Sequence, residues 1–138
     1  MSNGAVGGNE GGGVRAIVAG HGDFASGLVS AVEQITGRGN QLVAVPVHGL
    51  GAEDIERLLR ERMLATGIRV VFTDVQAGSC TMAARRVLRG MTDAVVVCGT
   101  NLPVLLDFVF NEQATPTEAA RHATERGRAA IALVGSKA

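Results

Sequence analysis

One histidine follows directly after a predicted β-strand, at the position where active-site residues of open α/β sheets are found. His21 lies between Gly20 and Gly22, directly after the short apolar segment 14–19. That segment has the composition of a buried strand, and a helical pattern begins a few residues after the histidine. Ligands and reactions in open α/β sheets are found at the carboxyl ends of the strands. The sequence therefore predicts a nucleophilic imidazole at this edge of a sheet.

An aspartate follows another apolar strand in the same way. Asp74 comes directly after segment 68–73, which is almost wholly apolar and β-branched and is therefore predicted to be buried on both faces. If the two strands are neighbours, the Asp74 carboxylate can accept a hydrogen bond from one ring nitrogen of His21. The other nitrogen then keeps its lone pair and can take a phosphoryl group, while the carboxylate stabilises the cation that develops.

Four further residues are candidates for the surroundings of that nitrogen. Gly22 gives another molecule close access. Gly78 and Ser79 come just before a predicted helix, so backbone N–H groups and the Ser79 hydroxyl could hold phosphoryl oxygens. Asn101 follows the fourth predicted strand and could help to position the loop that holds the phosphoryl oxygens. Structural alternatives stay open for the main candidates, because His21 could be a turn residue, Asp74 a cap of the loop backbone and Ser79 a helix N-cap. Asn101 is also an N-cap candidate for the helix that follows it.

No catalytic or binding role is predicted for the remaining histidines and the cysteines. His48 ends the second predicted strand and His122 lies within a helix among charges, so both are interpreted as solvated residues outside the site. Cys80 and Cys98 are interpreted as small, buried apolar residues. Two cysteines without metal-ligand spacing favour a reducing, cytoplasmic setting. No metal or cofactor is expected.

Hydrophobic periodicity divides the chain into alternating strands and helices. The predicted strands cover residues 14–19, 41–47, 68–73 and 94–98. The predicted helices cover residues 24–36, 52–66, 80–88, about 102–112 and 116–127. This pattern predicts one α/β domain over residues 14–138, a doubly wound, mainly parallel sheet of order 2-1-3-4 with helices on both faces. Strands 1 and 3 are then neighbours, which brings His21 and Asp74 together.

Both ends of the chain carry predictions of their own. Residues 1–13 are polar and glycine-rich and are predicted to form a disordered tail. Segment 129–134 is apolar and leaves two alternatives open, because it can continue the last helix or form a fifth strand at the sheet edge. An exposed strand of this kind could pair with a second copy of the chain in a homodimer.

The composition argues against several classes of partner. The formal net charge is zero, with 13 basic and 13 acidic residues, which argues against nucleic acid and anionic membranes. Four phenylalanines and no tryptophan or tyrosine argue against a surface that stacks on bases. No signal peptide or spanning segment is visible, so no direct insertion into a membrane is expected.

Two other nucleotide- or phosphate-linked interpretations fit poorly. Residues 20–25 match the dinucleotide-binding pattern G-x-G-x-x-A, but the second strand ends in Pro-Val-His where a ribose would require an acidic residue. A receiver domain phosphorylated on Asp74 would need an acidic cluster for Mg²⁺ after the first strand, where only Asp23 is found. It would also need a lysine in the site, and the one lysine of the chain is Lys137.

Three segments together resemble the enzyme IIA component of the mannose-family sugar phosphotransferase system. They are AGHGDFASGL at 19–28, VFTDVQAGSCTMAA at 71–84 and VVCGTNLPVLLDFV at 96–109. The resemblance extends from residue 14 to about residue 132, and it is nearest to the subfamily that handles N-acetylgalactosamine and related sugars. It places the phosphorylated histidine of the family on His21, its supporting aspartate on Asp74 and its loop serine or threonine on Ser79.

The resemblance implies a relay of phosphoryl groups for sugar uptake. The histidine-containing phosphocarrier protein would donate to Nε2 of His21, which would pass the group to a cysteine or histidine of a IIB component. The family is usually dimeric, and the resemblance allows exchange of segment 129–134 between subunits. No IIB domain follows in the sequence, so a separate IIA protein or an excised domain is expected.

The second segment departs from the family pattern at three positions. Ala77 replaces the first glycine of a Gly-Gly pair, Cys80 stands at the proline position, and Thr81 stands where a larger residue is common. The loop shape and the surface presented to partners are therefore open. A related branch supplies phosphate to dihydroxyacetone kinase, although residues 101–103, Asn-Leu-Pro, favour the sugar-transport branch. A regulatory protein that is phosphorylated without a transport role is a further alternative.

Overall fold

The protein, described here from a computed structural model over residues 13–137, contains a four-stranded parallel sheet. The strands are β1 (Ala16–Ala19), β2 (Leu42–Ala44), β3 (Val70–Thr73) and β4 (Val95–Val97). Their order is β2-β1-β3-β4, and all three pairings are parallel. The predicted order of the sheet is confirmed. The predicted tail lies outside the described residues except for residue 13.

Five helices and one short 3₁₀ turn connect and follow these strands. They are α1 (Phe24–Thr36), the turn Gly39–Gln41, α2 (Ala52–Thr66), α3 (Ser79–Leu88), α4 (Leu102–Phe110) and α5 (Pro116–Ala129). The predicted bounds of α1 and α2 are confirmed because a glycine in the left-handed conformation ends each helix, with φ of 72° at Gly37 and 77° at Gly67. None of the helices in residues 13–137 is long and apolar enough to cross a membrane.

The strands are shorter than predicted, and β2 shows the physical reason. The prediction covered residues 41–47, but the ladder with β1 includes only residues 42–44. Val45 donates one more backbone hydrogen bond to Val18 (3.0 Å). Pro46 comes next and has no N–H to donate, so the chain leaves the sheet at that point.

The two faces of the sheet are covered by different helices. In β1, Ala16 and Val18 pack with α1, α4 and α5, whereas Ile17 and Ala19 pack with α2 and α3. The first layer includes an edge-to-face contact between Phe72 and Phe108, whose ring centroids are 5.1 Å apart. Helices therefore cover both faces, which confirms the doubly wound α/β architecture.

Side chains cap the first turns of α4 and α5. Asn101 accepts a hydrogen bond from the backbone of Val104 (3.0 Å), and Thr115 accepts one from Glu118 (3.3 Å). Asp23 occupies the cap position of α1, but its side chain makes no capping hydrogen bond. The start of α1 is instead a turn in which the Phe24 N–H donates to the carbonyl of His21 (3.0 Å).

The ambiguous segment 129–134 adopts neither predicted form in full. Helix α5 continues to Ala129, and residues 131–137 that follow have no regular secondary structure. Ile131, Leu133 and Val134 are 76%, 99% and 89% exposed. Within the described residues of this single chain, the sheet therefore has four strands.

Candidate active site

Adjacent strand ends bring His21 and Asp74 into contact. Ala19 and Thr73 are paired residues at the ends of β1 and β3, so the two following loops begin side by side. The Oδ2 atom of Asp74 accepts a hydrogen bond from the backbone N–H of His21 (2.8 Å) and lies 2.7 Å from its ring Nδ1. The Val75 N–H donates to Oδ1 of Asp74 (2.8 Å). One carboxylate thus fixes both the main chain and the ring of His21.

The hydrogen bond to Asp74 determines which ring nitrogen of His21 is available. An ionised carboxylate can only accept, so Nδ1 of His21 carries the hydrogen. The neutral ring then has its lone pair on Nε2. The side chain of His21 is 65% exposed, whereas that of Asp74 is 11% exposed. The arrangement presents a nucleophilic nitrogen to solvent and keeps the orienting carboxylate underneath.

The charge on Asp74 is maintained by its hydrogen bonds. Burial alone would raise the pKa of this carboxyl group. The hydrogen bonds from the backbone and ring of His21 and from the backbone of Val75 act in the opposite direction. The balance places the pKa of Asp74 below its usual value. Asp74 is therefore a carboxylate at neutral pH.

Three glycines shape this site, two by permitting close contacts and one by its backbone conformation. A Cβ atom on Gly20 would lie 2.9 Å from Oδ2 of Asp74, and one on Gly78 would lie 3.2 Å from Cε1 of His21. Gly22 has open space around it but a φ of +53°, which side-chain-bearing residues rarely adopt. Gly22 and Gly78 were predicted site residues, whereas Gly20 was not. The need for a residue without a side chain at position 20 follows only from the packing of the His21 and Asp74 loops against each other.

Ser79 lies beside His21 at the start of α3. Both residues line a cavity of about 290 Å³ whose other walls are Gly22, Val47, His48, Gly49, Leu50, Ile55 and Cys80. Gly78 is in the cap position of α3 without a side-chain hydrogen bond, so the first N–H groups of the helix have no intrahelical partner. Those groups and the helix dipole favour an anion at this point. The structure thus brings together the predicted residues His21, Asp74, Gly22, Gly78 and Ser79.

Asn101 lies apart from this cavity, contrary to the prediction. Its side chain caps α4 and donates to the carbonyl of Gly127 in α5 (3.1 Å). It lines a different cavity, between the end of β4 and α5. The reason is the strand order, because β3 stands between β4 and the strand that carries His21. The contact from this loop to the site strands is made by Thr100, whose N–H donates to the carbonyl of Thr73 (3.1 Å).

His48 and Cys98 also differ from their interpretations. His48 is exposed, but its Nε2 lies 2.9 Å from the carbonyl oxygen of Gly22, so it belongs to the site rather than to its exterior. Cys98 is exposed because it follows the edge strand β4, whereas Cys80 is buried as predicted. No signal in the sequence around His48 shows that its loop turns back toward His21.

His122 is exposed, as predicted, and is paired with Asp107. Its Nδ1 lies 2.7 Å from Oδ2 of Asp107, the same separation as in the His21–Asp74 pair. The two residues lie on α5 and α4, away from the strand ends. Among residues 13–137, no group of three or more His, Cys, Asp or Glu side chains is arranged to hold a metal ion.

Solved structures of phosphotransferase proteins have the same fold. The mannose/sorbose-specific IIA subunit from Enterococcus faecalis gives a TM-score of 0.76 at 18% identity, over 91% of this chain and 98% of that chain. Component EIIA from Streptococcus agalactiae gives 0.68 at 20% identity, over 83% and 94%. The IIA protein associated with the fucose utilization operon of Streptococcus pneumoniae gives 0.65 at 21% identity, over 82% and 90%.

Sequence comparison identifies the family directly. None of the curated protein sequences is significantly similar to this chain. Residues 15–125, in contrast, match the EIIA-man family, described as the fructose IIA component of the phosphotransferase system (PTS). The match covers both strand ends of the site and all five helices except the last residues of α5. It confirms the resemblance seen in the three sequence segments, and the chain belongs to the EIIA-man family of PTS IIA components.

Proposed function

We propose that this protein is a cytoplasmic phosphocarrier of a sugar PTS and that its phosphoryl group is carried on Nε2 of His21. The observation that carries the proposal is the double hydrogen bond from His21 to Asp74, which leaves Nε2 exposed. The histidine-containing phosphocarrier protein is the proposed donor. A IIB component of the transporter is the proposed acceptor, so the protein itself contacts other proteins rather than sugar.

The chemistry of acceptance follows from the geometry. The lone pair on Nε2 attacks the phosphorus of the donor's phosphohistidine, and the donor's P–N bond breaks as the new P–N bond forms. The proton on Nδ1 stays on the ring, so the imidazole of His21 becomes a cation. The Asp74 carboxylate, 2.7 Å from Nδ1, balances that charge. The Ser79 hydroxyl, which lines the same cavity as His21, and the first N–H groups of α3 then hold the phosphoryl oxygens.

Transfer onward reverses these steps. A thiolate or imidazole of the IIB component attacks the phosphorus, and the P–N bond to His21 breaks with its electron pair returning to Nε2. The names of two of the similar structures, a mannose/sorbose-specific subunit and a protein associated with fucose utilization, support a role in carbohydrate uptake.

Incubation with phosphoenolpyruvate, enzyme I and the histidine-containing phosphocarrier protein tests the proposal. We expect one phosphoryl group that is labile in acid and stable in base, and its loss in His21→Ala but not in His122→Ala. Subsequent transfer to a IIB protein supports the transport role. Transfer only to dihydroxyacetone kinase, or no transfer to either acceptor, would favour the kinase-donor or regulatory alternatives. Normal phosphorylation of His21→Ala would disprove the assignment of the site.

We also propose that the protein is a homodimer joined through segment 131–134. The apolar side chains of this segment are almost fully exposed, and Ile131 borders the cavity along Val96 and Val97 of β4. Within the described chain, β4 pairs only with β3, so its other edge is available for a strand from a second copy. The proposed contact would bury the apolar side chains of the segment against that edge.

Light scattering coupled to size-exclusion chromatography tests the dimer. We expect the wild type to have twice the mass of one chain, and the double variant Leu133→Asp with Val134→Asp to have the mass of one chain. Leu64→Asp is the matched control, because Leu64 is also exposed (72%) but lies on α2, on the opposite face of the sheet from α5. A monomeric wild type at working concentration would contradict the proposal.

A further inference from the structure

Two side chains from the two strands that flank β1 hold the loop of His21 on opposite sides. Asp74 follows β3 and accepts from the backbone N–H of His21 (2.8 Å). His48 follows β2, and its Nε2 lies 2.9 Å from the carbonyl oxygen of Gly22. Consecutive residues of the loop are thus held through an N–H on one side and a carbonyl on the other.

The contact with Gly22 determines where His48 carries its hydrogen. A backbone carbonyl oxygen can only accept, so Nε2 of His48 must be the donor. His21 has the opposite arrangement, because its Nδ1 donates to Asp74. The site therefore contains two imidazoles in opposite tautomers when both are neutral. One exposes a nucleophilic nitrogen, and the other donates to the main chain.

The Gly22 peptide is a place where a hydrogen bond of this kind matters. Gly22 has a φ of +53°, and no atom lies within 4 Å of the position where a Cβ would be. Packing therefore does little to fix this residue. His48 is itself held by a tight turn, in which the Leu50 N–H donates to the carbonyl of Val47 (3.1 Å) and Val47 is 9% exposed.

We propose that His48 is a positioning residue for phosphoryl transfer at His21. By donating to the Gly22 carbonyl, His48 fixes the peptide that follows His21. This directs Nε2 of His21 into the cavity that His21 and Ser79 both line. Misplacement of a reacting atom by about 1 Å can slow a reaction on the order of 100-fold. The inference rests on the proposed function of His21 and adds a second histidine to that site.

Substitutions that move the donor along the side chain test this role. In His48→Gln the amide nitrogen can reach the position of Nε2, whereas in His48→Asn it reaches only the position of Nδ1. We expect single-turnover phosphorylation at saturating phosphocarrier protein to stay within about threefold of wild type in His48→Gln. It should fall about tenfold or more in His48→Asn and His48→Ala, with the half-saturating concentration of the carrier unchanged. His122→Ala is the control and should match wild type.

Nitrogen-15 NMR of the imidazoles provides a readout that does not depend on transfer. At a pH where the rings are neutral, we expect the Nε2–H tautomer for His48 and the Nδ1–H tautomer for His21 and His122. An Nδ1–H tautomer for His48 would overturn the inference, as would equal rates in the Gln, Asn and Ala variants. Phosphorylation that persists in His21→Ala would instead overturn the proposed function, so the two failures are distinguishable.

Discussion

A single oxygen of Asp74 holds two atoms of His21, the backbone nitrogen at 2.8 Å and the ring Nδ1 at 2.7 Å. The orientation of the ring is therefore coupled to the position of the main chain that carries it. The His122–Asp107 pair has the same 2.7 Å separation but lies on two helices, and Arg126 is 4.0 Å from the other oxygen of Asp107. The His122–Asp107 pair is therefore an internal control, because it has the same His–Asp contact without the hydrogen bond to the backbone of the histidine.

We expect Asp74→Asn to keep the fold and to slow phosphoryl transfer. The amide is neutral and can present a donor or an acceptor to Nδ1, so both the stabilisation of the cation and the choice of tautomer weaken. By analogy with the loss of groups that orient metal-bound histidines, the decrease should be on the order of 10–100-fold. Single-turnover transfer from the phosphorylated carrier measures it, with Asp107→Asn as the control. Equal rates in both variants would remove the argument for the pair.

We expect Gly78→Ala to slow transfer while Gly27→Ala does not. The new Cβ at position 78 would lie 3.2 Å from Cε1 of His21 and 2.8 Å from Cγ2 of Val75, which crowds the side of the ring next to Nε2. A displacement of this kind should cost about tenfold in rate. Gly27 is within α1 with nothing inside 4 Å, so alanine there should raise the free energy of unfolding by roughly 0.5–1 kcal/mol. Transfer assays and urea unfolding of Gly78→Ala and Gly27→Ala test these two expectations.

We expect the stabilising effect of Asp74 to disappear in acid. The folded protein lowers the pKa of this carboxyl group, so the folded state favours its ionised form. The stabilisation by Asp74 is complete above the unfolded pKa of about 3.9 and is lost as the pH falls through the lower folded value. The difference in unfolding free energy between wild type and Asp74→Asn should therefore narrow between neutral pH and about pH 3. Urea unfolding across that range measures it, and a difference that grows in acid would contradict the expectation.

We expect Arg15 to be structural rather than functional. Its half-buried guanidinium donates to the carbonyls of Phe108, Asn111 and Ala114 (3.4, 3.4 and 2.9 Å) and lies 4.9 Å from the centroid of the Phe108 ring. Burial lowers the pKa of Arg15, and the charge of Glu112 raises it. Arg15→Met keeps the apolar stem but removes the donors, at a cost of about 1–3 kcal/mol in unfolding free energy.

Arg57→Met is the matched control for Arg15→Met. Arg57 is exposed on α2 and pairs with Asp54 in the same helix, and exposed pairs contribute roughly 0–1 kcal/mol. Thermal and urea unfolding compare the two variants. Phosphoryl transfer should be unchanged in both, because Arg15 precedes β1 and His21 follows it. A large loss of transfer in folded Arg15→Met would contradict a structural role.

The sequence predicted the framework of this site because local signals and topology agree there. Apolar segments of strand length end at His21 and Asp74, and the order of a doubly wound sheet of this size places those ends side by side. Glycines that end α1 and α2 made those helix bounds readable, since Gly37 and Gly67 adopt the left-handed conformation. The helix bounds depend on residues close in sequence, and the contact between His21 and Asp74 depends on the strand order of a doubly wound sheet.

The features that sequence missed depend on how separate loops pack. His48 reaches Gly22 because the chain leaves the sheet at Pro46 and turns back, which periodicity does not encode. Asn101 is a cap, as its position suggested, but whether a capping residue also faces the site depends on the intervening strand. The sequence likewise does not show that a Cβ atom at Gly20 would crowd the carboxylate of Asp74.

Beneath the Asp74 loop, two buried threonines form a chain of hydrogen bonds with a fixed direction. Thr81 donates its hydroxyl hydrogen to the carbonyl of Val75, so the 2.6 Å contact between Thr73 and Thr81 must be a donation from Thr73. Valine at 73 would remove one bond that Thr81 accepts. Valine at 81 would leave the buried Thr73 hydroxyl without an acceptor, and the Val75 carbonyl would keep only the longer bond from the Gly78 N–H (3.4 Å). Evolutionary replacement should therefore be ordered, with Thr73 lost before Thr81 in any lineage that abandons the pair.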